Sequence, residues 1–108
     1  MNPTLIARCR DKLIEVSKKR GTITYGDLAA YLGVANRSVG KYLNAIYKDL
    51  VVRSKLPDLT LLAVYSGTNY GRYNSRGLPA QSVVFNPNKQ DDCSTYDADR
   101  ERVYQHWK

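Results

Sequence analysis

Two segments with helical periodicity, separated by a short turn, constrain the fold of this chain more than any other feature. The first segment begins at Thr24, which is typical of a helix N-cap, and ends at Gly33, which is typical of a helix C-terminus. The second is predicted to begin after a cap at Asn36 and to run to about Asp49. Its apolar residues keep helical spacing and are expected to face the core; they are Val39, Leu43, Ile46 and Leu50. A short helix, a tight turn and a longer helix form the helix-turn-helix pattern, in which the first helix supports the second.

The outer face of the second helix is polar and basic. Positions 37, 41, 44 and 48 are spaced by four, three and four, so they form one stripe opposite the apolar one. Arginine, lysine and asparagine read base edges and neutralise phosphates. The stripe is either the solvated face of an ordinary amphipathic helix or a DNA contact surface, and we favour DNA because the chain is basic. The predicted contacts on this helix are Arg37, Ser38, Lys41, Asn44 and Lys48.

The charge of the chain is uneven. The formal net charge is +7, with 17 Lys and Arg against 10 Asp and Glu. Residues 1–90 are strongly basic, and residues 91–108 are mildly acidic. A basic body attracts a polyanion, and nucleic acid is the commonest such partner of a small basic domain. The acidic tail either folds back over the basic surface or keeps the chain in solution.

The segments on either side of this helix pair predict a winged helix. Residues 4–20 read as a first helix, with an apolar stripe that includes Cys9 and Leu13. Residues 59–65 form a continuous apolar run of strand length, and residues 82–85 read as the returning strand. The fold class is therefore α+β: a winged helix-turn-helix with three helices, a small antiparallel β-hairpin and a short C-terminal tail.

The loop between the two predicted strands is turn-rich, basic and aromatic. Such a wing lies along the DNA backbone or enters the minor groove, and a plain surface loop is the alternative. The wing residues predicted to contact DNA are Tyr70, Arg72, Tyr73 and Arg76.

The composition divides the chain into three parts. Residues 1–85 are predicted to be the winged-helix domain, residues 86–95 a polar linker or loop, and residues 96–108 a tail with a short docking helix. Tyr104 and Trp107 are expected to dock this tail on the domain. Contact with a protein partner is the alternative role of these two side chains.

Several functional classes are excluded or made improbable by simple counts. The chain has two cysteines, Cys9 and Cys93, far apart, and one histidine, His106, so it cannot build a four-ligand zinc site alone. Two free thiols and no cofactor are expected, and His106 offers no catalytic constellation. No apolar run is long enough to span a membrane, and the N-terminus has no secretory pattern, so we expect a cytoplasmic protein.

Two short motifs resemble a known family. Residues 21–29 read G-T-I-T-Y-G-D-L-A, and residues 36–40 read N-R-S-V-G. Across residues 21–80 the chain resembles the DNA-binding domain of alkylguanine DNA alkyltransferases and of the non-enzymatic alkyltransferase-like proteins. The resemblance implies a winged helix that enters the minor groove. It also implies that Arg37 fills the gap left by an extruded base and that Tyr25 contacts the DNA backbone.

The chain departs from this family at the reactive site. The alkyltransferases read P-C-H-R there, whereas this chain reads Leu56-Pro57-Asp58-Leu59. Alkyl transfer needs a thiolate nucleophile, which Asp58 cannot supply. We therefore expect a non-catalytic winged-helix protein that binds double-stranded DNA. The alternative is a small protein-interaction module, an adaptor or inhibitor from a phage or mobile element, built on the same scaffold.

Overall fold

The computed structural model describes residues 3–67, 72–73, 83–84 and 90–108, with side chains described for residues 3–67 and 97–108. The α-helices are α1 (Pro3–Lys18), α2 (Tyr25–Leu32), α3 (Val39–Tyr47) and α4 (Gln90–His106). The strands are β1 (Ile23–Thr24), β2 (Ala63–Val64), β3 (Arg72–Tyr73) and β4 (Val83–Val84). Two 3-10 helices span Asn36–Ser38 and Leu59–Leu62, and a π-helical segment spans Lys48–Arg53.

Helix α2 has the two caps that the sequence predicts. The Thr24 hydroxyl oxygen accepts the Asp27 N–H (3.1 Å), which satisfies one of the unpaired donors of the first turn. Gly33 adopts a left-handed φ of 72°, and its N–H closes the last turn on the Ala30 carbonyl (3.2 Å). Because left-handed backbone is costly for other residues, Gly33 fixes the point at which the chain leaves α2.

The longer helix of the pair differs from its prediction at both ends. It begins as a 3-10 turn that contains Asn36, and no side-chain cap precedes either this turn or α3. It continues beyond Asp49 as the π-helical segment, so the helical path runs from residue 36 to Arg53. The apolar stripe is confirmed, because Val39, Leu43 and Ile46 are buried.

The core lies between α1, α3, α4 and the 3-10 helix Leu59–Leu62. Cys9 and Leu13 of α1 and Val103 of α4 are fully buried in it. Helix α4 is fixed to the end of α1 by polar contacts: the Ser17 hydroxyl donates to the Val103 carbonyl (3.3 Å), and the Tyr104 hydroxyl donates to the Gly21 carbonyl (2.8 Å). Helix α4 begins at Gln90, inside the segment predicted as a linker, and is longer than the predicted tail helix.

The predicted fold class is wrong, because the described residues form a mostly helical protein with four α-helices. The segment predicted as the central strand, residues 59–65, is a buried 3-10 helix followed by the two-residue strand β2. Strand β2 pairs in parallel with β1 and does not form the predicted antiparallel hairpin with residues 82–85. Strand β4 instead pairs with β3 over two residues. A short apolar run bounded by turns fits a buried helical turn as well as a strand. In the structure the Asp58 side chain caps a 3-10 helix here by accepting the Thr60 N–H.

Candidate nucleic-acid interface

The parallel pair of strands places two tyrosines side by side. Ile23 is opposite Ala63, and Thr24 is opposite Val64. Each strand is followed directly by a tyrosine, so this register brings Tyr25 and Tyr65 to the same end of the pair. Their ring centroids are 5.1 Å apart, and the rings are inclined by 36°, a favourable aromatic arrangement.

The tyrosine pair forms one wall of a cleft of about 410 Å³. The opposite wall comes from the start of the longer helix of the pair, where the 3-10 turn leads into the first turns of α3. Residues 37, 41 and 44 lie on one side of this helix, as the spacing predicts. The residues that line the cleft are Tyr25, Asn36, Arg37, Gly40, Lys41, Asn44 and Tyr65. This set, without Gly40, is called the recognition face below.

The recognition face is positively charged and holds no carboxylate. Arg37 and Lys41 are both exposed, and neither forms an ion pair with any residue that the structure describes. Some other cations of the described residues are paired, such as Arg53 with Asp49 and Arg100 with Asp97, whereas Arg8 and Lys48 are not. The side-chain amides of Asn36 and Asn44 are also exposed at the cleft. The cleft therefore combines uncompensated positive charge, amide donors and acceptors, and aromatic rings.

The structure places some of the predicted contact residues together at the cleft and others away from it. Tyr25, Arg37, Lys41 and Asn44 line the cleft. Ser38 is partly buried beside it, and Lys48 is exposed further along, where the π-helical segment begins. The predicted wing contacts fall outside this description: Tyr70 and Arg76 are outside the described residues, and Arg72 and Tyr73 are described only as the backbone of β3.

Tyr65 and Asn36 were missed from the sequence as site residues. Tyr65 is the last residue of the segment 59–65, which was read as a strand, and this reading gave no reason to place it beside Tyr25. Only the parallel pairing of β1 with β2 reveals the contact. Asn36 was read as a helix cap, yet its side chain faces the cleft.

Asp58 is a buried capping residue. Its Oδ1 accepts the Thr60 N–H (3.1 Å) and the Thr60 hydroxyl, and its Oδ2 has no hydrogen-bond partner among the described residues. Burial raises the pKa of Asp58 to about 6, the Thr60 hydrogen bonds oppose this rise, and the charge of Asp99 adds to it. Asp58 does not line the cleft. It starts the 3-10 helix that leads through β2 to Tyr65, so it helps to position that ring.

Other reactive groups give no catalytic arrangement in the described part of the chain. Burial raises the pKa of the Cys9 thiol to about 12, which keeps it protonated and unreactive at neutral pH. His106 is exposed and meets the Trp107 ring edge-on, with centroids 4.4 Å apart. No three metal-ligating side chains are grouped within residues that the structure describes. The described helices include none with both the length and the apolar character of a bilayer span.

Tyr104 and Trp107, which were expected to dock the tail on the domain, are partly buried against the core, and a role of these side chains in binding a protein partner stays a prediction. Comparison of the chain with protein-family models, curated proteins and solved structures gives no significant match.

Proposed function

We propose that this protein binds double-stranded DNA through the recognition face. The observation that carries the proposal is the placement of Arg37 and Lys41 in a carboxylate-free cleft beside a pair of tyrosines. Positive side chains without acidic partners are available for phosphates, and their neutralisation of phosphate charge drives binding through counterion release.

The composition of the recognition face fits DNA better than a simple anion. Arginine forms bidentate hydrogen bonds with phosphate or with guanine, and asparagine forms them with adenine. Arg37, Lys41 and Asn44 lie along one side of the helix, an arrangement that suits contacts along the edge of a DNA groove. The tyrosine rings add flat surfaces that pack against sugars or bases.

The resemblance of residues 21–40 to alkyltransferase-like DNA-binding domains supports the same proposal. Those motifs contribute Tyr25, Asn36, Arg37 and Gly40, which lie together at the cleft. We further propose that binding involves no alkyl transfer. Asp58 replaces the reactive cysteine, and a buried carboxyl cannot act as the thiolate that this chemistry requires.

The test is a fluorescence-anisotropy titration of a labelled duplex with the wild type and with Arg37→Ala/Lys41→Ala. We expect the double variant to bind at least about tenfold more weakly, which corresponds to about 1.4 kcal/mol. Lys18→Ala/Lys108→Ala is the matched control, because it removes two exposed cations that lie outside the recognition face. Equal affinities of the wild type and the Arg37/Lys41 variant would refute the proposal.

A second titration series addresses the kind of DNA. A duplex with a modified guanine and its unmodified counterpart are compared at two salt concentrations. Preference for the modified duplex would extend the resemblance to recognition of damaged DNA. Equal, salt-sensitive binding of both duplexes would indicate recognition of ordinary duplex DNA through its backbone.

A further inference from the structure

A second cationic cluster lies where α1 packs against α2. Arg8 and Lys12 are one helical turn apart on α1, and both bring their charged groups to the ring of Tyr31, at 5.2 and 5.0 Å from its centroid. Arg8 Nη2 also donates to the Tyr31 carbonyl (3.2 Å). Tyr31 is 41 % exposed, unusually high for a large apolar side chain in this protein. Arg8, Lys12 and Tyr31 together are called the Tyr31 patch.

The Tyr31 patch keeps its positive charge because the groups that hold Arg8 are neutral. A ring face and a backbone carbonyl fix the guanidinium without a carboxylate, and Arg8 forms no ion pair with a described residue. Lys12 shares the single carboxylate of Glu15 with Lys19, at 3.5 Å from each. Nearby Arg10 and Arg20, in contrast, each have a carboxylate partner of their own.

Neutral groups position the Arg8 guanidinium and leave its positive charge uncompensated, so it is available to bind an anionic group. Among the described residues Arg8 uses one of its five N–H donors, in the bond to the Tyr31 carbonyl, so donors remain for a bidentate contact with phosphate. Since the stacked guanidinium is already ordered, little side-chain entropy is lost when it binds. The Lys12 ammonium group also lies at the Tyr31 ring and adds positive charge to the Tyr31 patch.

Helix α2 joins the Tyr31 patch to the recognition face. It carries Tyr25 at its first residue and Tyr31 near its last, about 9 Å apart along the axis at 1.5 Å per residue. Phosphates follow one another about every 3.4 Å of axis on each DNA strand, so two contacts about 9 Å apart would be made to different phosphates of one duplex. In helix-turn-helix proteins the first helix of the pair crosses the DNA backbone.

We propose that the Tyr31 patch is a second contact with the DNA backbone, in which Arg8 and Lys12 bind a phosphate that flanks the segment held by the recognition face. This inference rests on the proposed function. It assigns Arg8 a role that the sequence did not suggest, because α1 was read only as a core helix with a solvated basic surface.

The test measures the salt dependence of duplex binding by the wild type and by Arg8→Gln, with Lys18→Gln as the control. Lys18 is an exposed cation on the same helix and has no contact with Tyr31. We expect Arg8→Gln to reduce the slope of log K against log salt by about 0.9, the value for one lost phosphate contact. The loss is expected to be equal on two duplexes of unrelated sequence, because phosphate contacts carry no sequence information.

Two further variants separate a DNA contact from a structural effect. Arg8→Lys keeps the charge and is expected to retain the wild-type slope within about 0.3, whereas Arg8→Gln/Lys12→Gln is expected to lower it by more than Arg8→Gln alone. Thermal unfolding followed by circular dichroism confirms that each variant is folded. The inference would be overturned, with the proposed function intact, if the wild type binds and Arg8→Gln gives the same slope as Lys18→Gln. Absence of wild-type binding to any duplex would overturn both.

Discussion

Replacement of Asp58 by asparagine is expected to make the protein gain stability, relative to the wild type, as the pH rises from about 4 to 7.5. The carboxylate is 5 % exposed, and one of its oxygens has no hydrogen-bond partner among the described residues. Asparagine has nearly the same shape, and its carbonyl oxygen still accepts the hydrogen bonds from Thr60 that cap the 3-10 helix Leu59–Leu62. The substitution therefore removes the buried negative charge and leaves the cap in place.

The size and sign of the effect follow from the pKa of Asp58. Burial raises it from 3.8 to about 6, and at about 1.36 kcal/mol per unit the rise corresponds to about 3 kcal/mol. Because the folded-state pKa lies above the unfolded one, the stabilising contribution of the protonated carboxyl is complete below about pH 3.8. It is lost as the pH rises through about 6. Above that pH the folded wild type carries a buried charge that the variant lacks.

The assay is urea unfolding of the wild type and of Asp58→Asn at several pH values between about 4 and 7.5. The free energy of unfolding of the variant, relative to the wild type, is expected to rise by about 2–3 kcal/mol across this range, because a small part of the full effect is already present at pH 4. The asparagine N–H₂ group takes the place of the unpartnered oxygen, and a buried donor without a partner costs about 1–3 kcal/mol at every pH. Because this cost is the same at every pH, it changes the difference in unfolding free energy between the two proteins by a constant amount. The dependence of that difference on pH stays the same.

Asp11→Asn is the matched control, because it makes the same substitution at a side chain that is 70 % exposed. The free energy of unfolding of Asp11→Asn is expected to change with pH as that of the wild type does, with only a small difference between the two proteins. If Asp58→Asn also parallels the wild type from pH 4 to 7.5, the reasoning about the buried carboxyl is refuted.

Two further predictions concern single residues of α1 and α2. Thr24→Ala removes the side-chain cap of α2 and is expected to lower the free energy of unfolding by about 1 kcal/mol. Thr24→Ser keeps a hydroxyl at this position and is expected to retain most of the wild-type stability. Urea denaturation measures both variants, and equal stability of all three proteins would contradict the role of the cap. In a Cys93→Ser background, Cys9 is expected to resist a thiol reagent at about pH 8 until the protein unfolds, because burial raises the pKa of its thiol to about 12. Rapid modification of Cys9 in the folded protein would contradict this prediction.

The sequence predicted α2 closely because its determinants are local. The Thr24 hydroxyl and the left-handed Gly33 act within one turn of the residues they cap, so their effect is visible in the sequence itself. The apolar stripe of α3 was predicted for the same reason, since helical spacing alone identifies its buried face.

The features that the sequence missed depend on contacts between distant segments. Residues 59–65 are apolar whether they form a strand or a buried turn of helix, and the helical turn is recognised from hydrogen bonds such as those from Thr60 to the Asp58 side chain and from Leu61 to the Asp58 carbonyl. The neighbouring positions of Tyr25 and Tyr65 require the parallel register of β1 and β2, which joins residues forty apart in the chain. A two-residue strand has no sequence signature of its own, so the position of Tyr65 at the cleft could not be predicted.

The attachment of α4 was predicted in part. Tyr104 and Trp107 were expected to dock the tail, and both pack against the core. The left-handed Arg20, with a φ of 52°, was not foreseen, because the adjacent Gly21 is the usual residue for that conformation. Arg20 forms an ion pair with Glu101 and lies over the Tyr104 ring, 4.9 Å from its centroid, so contacts from α4 support the strained turn.

The most direct test of DNA binding by the recognition face is a titration of the isotopically labelled protein with a short duplex, followed by the NMR signals of its backbone amides. The account predicts that the largest changes occur at Tyr25, Tyr65 and residues 36–44, and that the signals of residues 103–107 in α4 change little. Absence of changes at low salt, or changes confined to α4, would contradict the central claim.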